Sequence, residues 1–196
     1  EVYFSFDVEA DGPYPGEYSM LSIGMVACAT YDGRNFVPLN LDLARNCIYT
    51  ELKPISNNFE PEAVEVCREG GINRDVLMLY GTDARAAIPA LENSIRHITK
   101  TFDSNARAVA VAYPLGFDWM FYYWYSNRYG SGKDNPFGFS GCLDIKSMYS
   151  AKRNALVINS TKRNMPKKLK SNRPHTHNAL DDAKEQAELF CNIWEM

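Results

Sequence analysis

The chain has 196 residues, 45% of them hydrophobic and 23% charged, the balance of a folded domain large enough to bury a sizeable core. Its formal charge of -3 supplies no global basic field, so a polyanionic partner has to be drawn by a local patch or by bound cations. No apolar run approaches the length of a membrane-spanning helix and no signal-peptide pattern opens the chain, so no membrane partner and a cytoplasmic location are expected.

Val2-Tyr3-Phe4-Ser5-Phe6-Asp7-Val8-Glu9 is rich in apolar and β-favouring residues and reads as a strand closed by two carboxylates. Residues i and i+2 of a strand share a face, so Asp7 and Glu9 project together from its C-terminal end. Ala10 to Gly16 is dense in turn formers and reads as a loop. Leu21 to Ala29 predicts a second strand, Tyr31 to Asn35 a hairpin turn, and Leu39 to Leu43 a third strand opened by Pro38. Ile48 to Leu52 alternates apolar and polar residues and either continues that strand or forms the next. The opening is therefore an antiparallel meander.

Glu60-Pro61-Glu62 starts a short helix that should end near Gly70-Gly71. Thr82 is the expected cap of a longer helix reaching about Thr101, with Ile88, Leu91, Ile95 and Ile98 on one stripe. Pro89 within it marks a kink or a later start. The small apolar run from Ala106 to Ala112 fits a buried central strand, and an aromatic helix follows from Leu115 to Tyr129. On that helix Phe117, Met120, Phe121, Trp124 and Tyr125 form a core-facing stripe. Trp119, Tyr122 and Tyr123 fall outside it, available for base stacking, a homodimer interface or packing beneath the loop from Gly130 to Gly141.

Next come a short strand at Cys142 to Ile145, a helix near Lys146 to Arg153 and a basic loop from Lys162 to Arg173. The last helix runs from His177 to Trp194, with Leu180, Ala183, Ala187, Phe190, Cys191 and Trp194 on its apolar face. Strands first, then alternating helices and strands, indicate an α/β fold: a mixed sheet flanked by helices in one domain over residues 1–196. Cys28, Cys47, Cys67, Cys142 and Cys191 are odd in number and lack CxxC spacing, which favours a reducing setting with thiols used as small core hydrophobes.

Two carboxylates one residue apart repel, and burying them is costly without a compensating cation. Hard oxygen ligands of this kind suit Mg²⁺ or Mn²⁺ rather than zinc. By itself the pair is more simply read as a strand running out into a solvated acidic loop. Asp118 stands in the first turn of a helix just after a buried strand, where ligand sites of open α/β sheets cluster and where the helix dipole also favours an acid. His177-Asn178-Ala179-Leu180-Asp181-Asp182 places a histidine and an acid about a turn apart at the start of the last helix. His175-Thr176-His177 separately admits a zinc reading, but no cysteine or third histidine lies nearby to complete a tetrahedral set.

Taken together, D-x-E after a strand, F-D at a strand-to-helix junction and H-N-A-L-D-D on a C-terminal helix resemble the DEDDh 3′–5′ exonuclease superfamily. Its members include polymerase proofreading subunits, ribonuclease T and oligoribonuclease. The resemblance implies a ribonuclease-H-like fold, a five-stranded mixed sheet with helices on both sides. It implies Asp7, Glu9, Asp118 and Asp182 as ligands of two divalent ions, Mg²⁺ or Mn²⁺, and His177 as general base. Asp181 lies four residues from His177 where the superfamily spacing is five, and is assigned to the surface. The implied partner is nucleic acid with a single-stranded 3′ end, cut to nucleoside 5′-monophosphates, with RNA slightly favoured over DNA. Substrate contacts are expected from Ala10, Gly12, Met20, Phe117 and Trp119, and phosphate tracking from Lys168, Lys170 and Arg173. Ala10, Pro13 and Pro114 replace the Thr, apolar wedge and Asn of many members. The rival reading is a module of the same fold that binds nucleic acid, or another partner, without cutting.

Overall fold

Alternation along the first strand decides the layering. In the computed structural model, which covers residues 1–196, strand β1 (Val2–Ala10) lies in the middle of the sheet. It pairs antiparallel with β2 (Met20–Tyr31) and parallel with β5 (Ala108–Ala112), and β5 pairs parallel with β6 (Cys142–Asp144). Two short strands, β3 (Phe36–Pro38) and β4 (Cys47–Glu51), pair antiparallel with successive parts of β2. The sheet therefore has the expected five-stranded path β3-β2-β1-β5-β6, with β4 as a sixth strand off it.

The two sides of β1 feed two cores. Val2, Phe4, Phe6 and Val8 pack with Ile23, Met25, Ile88, Leu91, Phe121 and Tyr125 under α3 (Ala84–Phe102) and α4 (Leu115–Tyr129). On the opposite side Tyr3 packs with Val26, Val111, Ile145, Ala183, Ala187 and Phe190 under α5 (Ile145–Arg153) and α6 (Ala179–Trp194). Asp7 and Glu9 belong by alternation to that second side, the side of α6. Two further helices, α1 (Pro61–Glu69) and α2 (Arg74–Tyr80), cover the end of β1 where Ala10 and Asp11 leave the sheet.

Three expectations need correction, and one helix was not expected. Leu39 to Leu43 is a turn, because Asn40 Oδ1 accepts from the Asp42 amide and this local bond competes with a ladder. The cap of α3 is Asp83, whose side chain accepts from the Arg85 amide, and the helix runs through Pro89 from Ala84. Helix α2 escaped notice because it is only seven residues long and turns Leu79 and Tyr80 outward; Asn73 caps it. On α4 the core arc is wider than one stripe. Tyr122 is fully buried between Phe6 and Phe137, whereas Phe117 and Met120 are more than a third exposed. Trp119 also packs on Phe137, so the loop from Gly130 to Gly141 is what covers these two rings.

Small residues let α6 approach the sheet closely. A Cβ added at Gly24 would stand 2.3 Å from the Leu180 amide nitrogen, too near for any side chain. Gly24 pairs with Asp7 across the β1–β2 ladder, so this contact sets how far the start of α6 lies from the acidic end of β1. Gly24→Ala should therefore cost about 1–3 kcal/mol as the helix is forced outward. Urea unfolding measures it, and an unchanged midpoint would contradict the close packing.

Candidate active site

Three chain segments converge where β1 ends. Asp7 and Glu9 come from the strand, Asp118 from the first turn of α4, and Asp182 from the first turn of α6. One carboxylate oxygen each from Asp7, Glu9 and Asp182 lies within 4.8 Å of the others. Asp118 joins them through the backbone: its Oδ1 accepts from the Val8 amide at 3.0 Å. That amide is free to donate because the β1–β5 ladder ends at Ser5 and Val111, two residues short of Asp7.

Three of the four acids, Asp7, Asp118 and Asp182, are pinned by a partner of their own. Gln186 Nε2 donates to Asp7 Oδ1 at 2.7 Å, while Gln186 Oε1 accepts from the Tyr113 amide at 2.7 Å. Asp182 is fully buried and accepts from the amides of Thr176 at 2.8 Å and His177 at 2.9 Å. Those bonds fold residues 175–178 back onto the helix start, with His177 at φ +57°. The carbonyl of His177 rests against Gly70, where a Cβ would come within 1.6 Å of it. The backbone of His177 is thus held between the end of α1 and the start of α6, and its ring is half-buried.

Burial, and after it the crowding of like charges, weakens these acids. Burial is the largest cause holding the Asp7 carboxyl well above the usual range, with Asp118 and Asp182 adding to it. Glu9 is pushed up to about 9 by burial, then by Asp7 and Asp182. Asp118 is raised to about 8, chiefly by burial, against the pull of the Val8 hydrogen bond. Lys162 acts in the other direction on Asp7 and Asp118; it is ion-paired with Glu185 and lies 5.3 Å over the Tyr113 ring. Hard oxygen donors drawn together against their own repulsion fit divalent cations such as Mg²⁺ or Mn²⁺.

A mainly apolar cavity of about 470 Å³ opens beside Glu9, lined among others by Ala10, Gly12, Pro13, Val66 and Phe117. Gly12 is required where it stands, since a Cβ there would meet the Tyr18 ring at 2.1 Å. The loop carrying these residues is anchored by Asp11, which accepts from the Ser19 amide and pairs with Arg74 Nε at 2.8 Å with both side chains buried. Met20 is fully buried with its side chain in the core, so it has no surface to offer a ligand. Trp119 packs on Tyr123 and Phe137, away from the cavity lining.

Of the basic residues, Arg173 is a brace: its guanidinium binds Glu188 at 2.7 Å and Asp42 at 2.9 Å. Lys170 reaches the Arg163 carbonyl at 3.1 Å, while Lys168 is exposed. Asp181 is exposed, as its spacing implied. Gln186 and Lys162 were missed as site residues. Gln186 carried a signal, standing four residues after Asp182 on the same helix face; the approach of Lys162 depends on the path of a loop.

No family model matches the sequence. Among curated proteins, the 3′-5′ DNA exonuclease Cap18 of Escherichia coli is 37% identical over 191 residues, covering 97% of this chain and 90% of that protein. A 3′-exonuclease solved in a study of histone mRNA stem-loop 3′-end recognition matches with a TM-score of 0.69 and 14% identity, over 98% of this chain and 63% of the other. The zinc-bound E. coli ExoI–ssDNA complex matches with a TM-score of 0.64 and 13% identity, over 99% and 40%. S. pombe Pop2p, in its Mg²⁺- and Mn²⁺-bound form, matches at 0.63 and 15%, over 96% and 81%. At such identities the structural likeness establishes the ribonuclease-H-like fold; the chain spans less than two thirds of the first two of these structures.

The raised pKa values have a direct consequence for stability. Asp7, Glu9 and Asp118 start from ordinary values of 3.8 to 4.5 and titrate higher when folded. The folded chain therefore holds extra protons between about pH 4 and pH 9, and metal-free stability falls as pH rises through that window. We expect the melting temperature in EDTA to drop by at least about 4 °C from pH 5 to pH 9, with Mg²⁺ recovering most of the loss. A flat or rising profile in EDTA would contradict the clustering.

Proposed function

The chain belongs to the DEDD-type 3′–5′ exonuclease family, and on that premise we propose that it removes nucleotides singly from the 3′ end of single-stranded DNA. The convergence of Asp7, Glu9 and Asp182 within 4.8 Å, with Asp118 adjoining, carries this reading. In it the four carboxylates hold two divalent ions, Mg²⁺ or Mn²⁺. Such ions supply charge neutralisation at the phosphodiester and lower the pKa of a bound water.

The protein's own part is positioning and proton transfer. An imidazole nitrogen of His177 takes the proton of the attacking water as general base. The water oxygen bonds to phosphorus as the bond to the 3′-oxygen breaks; the departing 3′-oxygen takes a proton from solvent and His177 returns its own to solvent, leaving a nucleoside 5′-monophosphate and a shortened strand with a free 3′-hydroxyl. Gln186 fixes the rotamer of Asp7, and the Asp182–amide bonds fix the turn bearing His177. The terminal base takes the cavity beside Glu9, stacked on Phe117, which keeps 37% of its surface exposed.

DNA is preferred here over the RNA expected from the sequence. The 37%-identical relative is named as a DNA exonuclease, whereas the RNA-recognising neighbour shares only 14% identity. Digestion of matched 5′-labelled single-stranded DNA and RNA tests this; a stepwise ladder on DNA is expected, and RNA cut faster would overturn the substrate assignment. Asp182→Asn should abolish cutting in a folded protein. His177→Ala should lower turnover by roughly 10²–10⁴-fold while Mn²⁺ still binds. Phe117→Ala should raise KM by roughly 5- to 100-fold, the loss of one stacked base, with kcat little changed.

A further inference from the structure

Asp182 belongs to two clusters of donor atoms at once. The first is the oxygen set with Asp7 and Glu9. The second is a nitrogen-rich set: one atom each from His175, His177 and Asp182 lies within 4.8 Å of the others. His175 Nδ1 is already 3.0 Å from Asp182 Oδ2, and the two imidazole rings meet edge to face with centroids 4.5 Å apart. In sequence these histidines lacked a third ligand; the fold supplies it from the first turn of α6.

We propose that His175, His177 and Asp182 form a binding site for a borderline transition-metal ion, Zn²⁺ in particular, whose occupation shuts down the carboxylate site. Bonds of about 2.0–2.1 Å in a tetrahedron put ligand atoms about 3.3 Å apart. The widest separation in the cluster therefore closes by at most about 1.5 Å, within reach of small side-chain rotations about the fixed backbone. Two imidazoles and one carboxylate leave a fourth position open to water, a donor set that suits Zn²⁺ and disfavours Mg²⁺. Three features pre-set it. The Asp182 carboxylate takes the amides of Thr176 and His177, the positive φ of His177 turns the chain back, and Gly70 backs its carbonyl.

The two clusters compete for Asp182. An ion held by the histidines engages the ring assigned as general base and a carboxylate assigned to the divalent ions. The blocking effect therefore rests on the catalytic reading above, whereas the binding itself does not.

The chain has three histidines, and His97 lies on α3, which makes it an internal control. Long-range ¹H–¹⁵N spectra of the full chain are recorded in excess Mg²⁺ while Zn²⁺ is added to one equivalent, with rings assigned through His97→Gln and His175→Gln. We expect ring nitrogens of His175 and His177 to move together and saturate at one ion per chain, with His97 unmoved. Rings that stay put, or that move together with His97, would overturn the site whether or not the protein cuts DNA. In parallel, Zn²⁺ inhibition of Mg²⁺-supported hydrolysis is titrated for wild type, His175→Ala and His175→Gln, each relative to its own zinc-free rate. Both variants should need at least tenfold more Zn²⁺ for half inhibition. Superimposable curves would overturn the blocking role.

Discussion

Mutual repulsion among buried carboxylates is the constraint the rest of the molecule answers to. Asp7, Glu9, Asp118 and Asp182 arrive from widely separated points of the chain, and each would be more comfortable in water. Their convergence is enforced by contacts on every side: the β1–β2 ladder, the Val8 amide at Asp118, Gln186 at Asp7, and the amides of Thr176 and His177 at Asp182. The cost of burying these groups, and then of crowding them, appears as raised pKa values, and divalent cations relieve it.

Glycine placement governs the precision of the site. Gly24 lets the start of α6 rest on β2 directly across from Asp7, and Gly70 lets α1 back the His177 carbonyl. Gly24 thereby sets the distance between strand and helix on which the clustering depends, and Gly70 sets how closely α1 approaches the turn bearing His177. Gly12 does the same for the cavity wall by admitting the Tyr18 ring.

Much of this was legible beforehand because it follows periodicity. Alternation in β1 placed Asp7 and Glu9 on one face, and the five-residue spacing from His177 singled out Asp182 over Asp181. The three short motifs together identified the fold. What stayed hidden depends on which partner occupies a face. Tyr122 looked outward on a single-stripe reading because the loop bearing Phe137 adds a second packing surface to α4. Arg173 looked like a phosphate contact because its partners, Asp42 and Glu188, come from distant segments. Leu39 to Leu43 kept a strand's alternation but lost the strand to an Asn40 turn. Met20 sits just beyond the loop yet points into the core.

The central claim is that these acids form a single cation-binding centre. Anomalous diffraction from crystals soaked in Mn²⁺ addresses it most directly. The account predicts anomalous peaks bonded to oxygens of Asp7, Glu9, Asp118 and Asp182, lost in Asp7→Asn crystals. Manganese bound elsewhere, with the four carboxylates left bare, would contradict it.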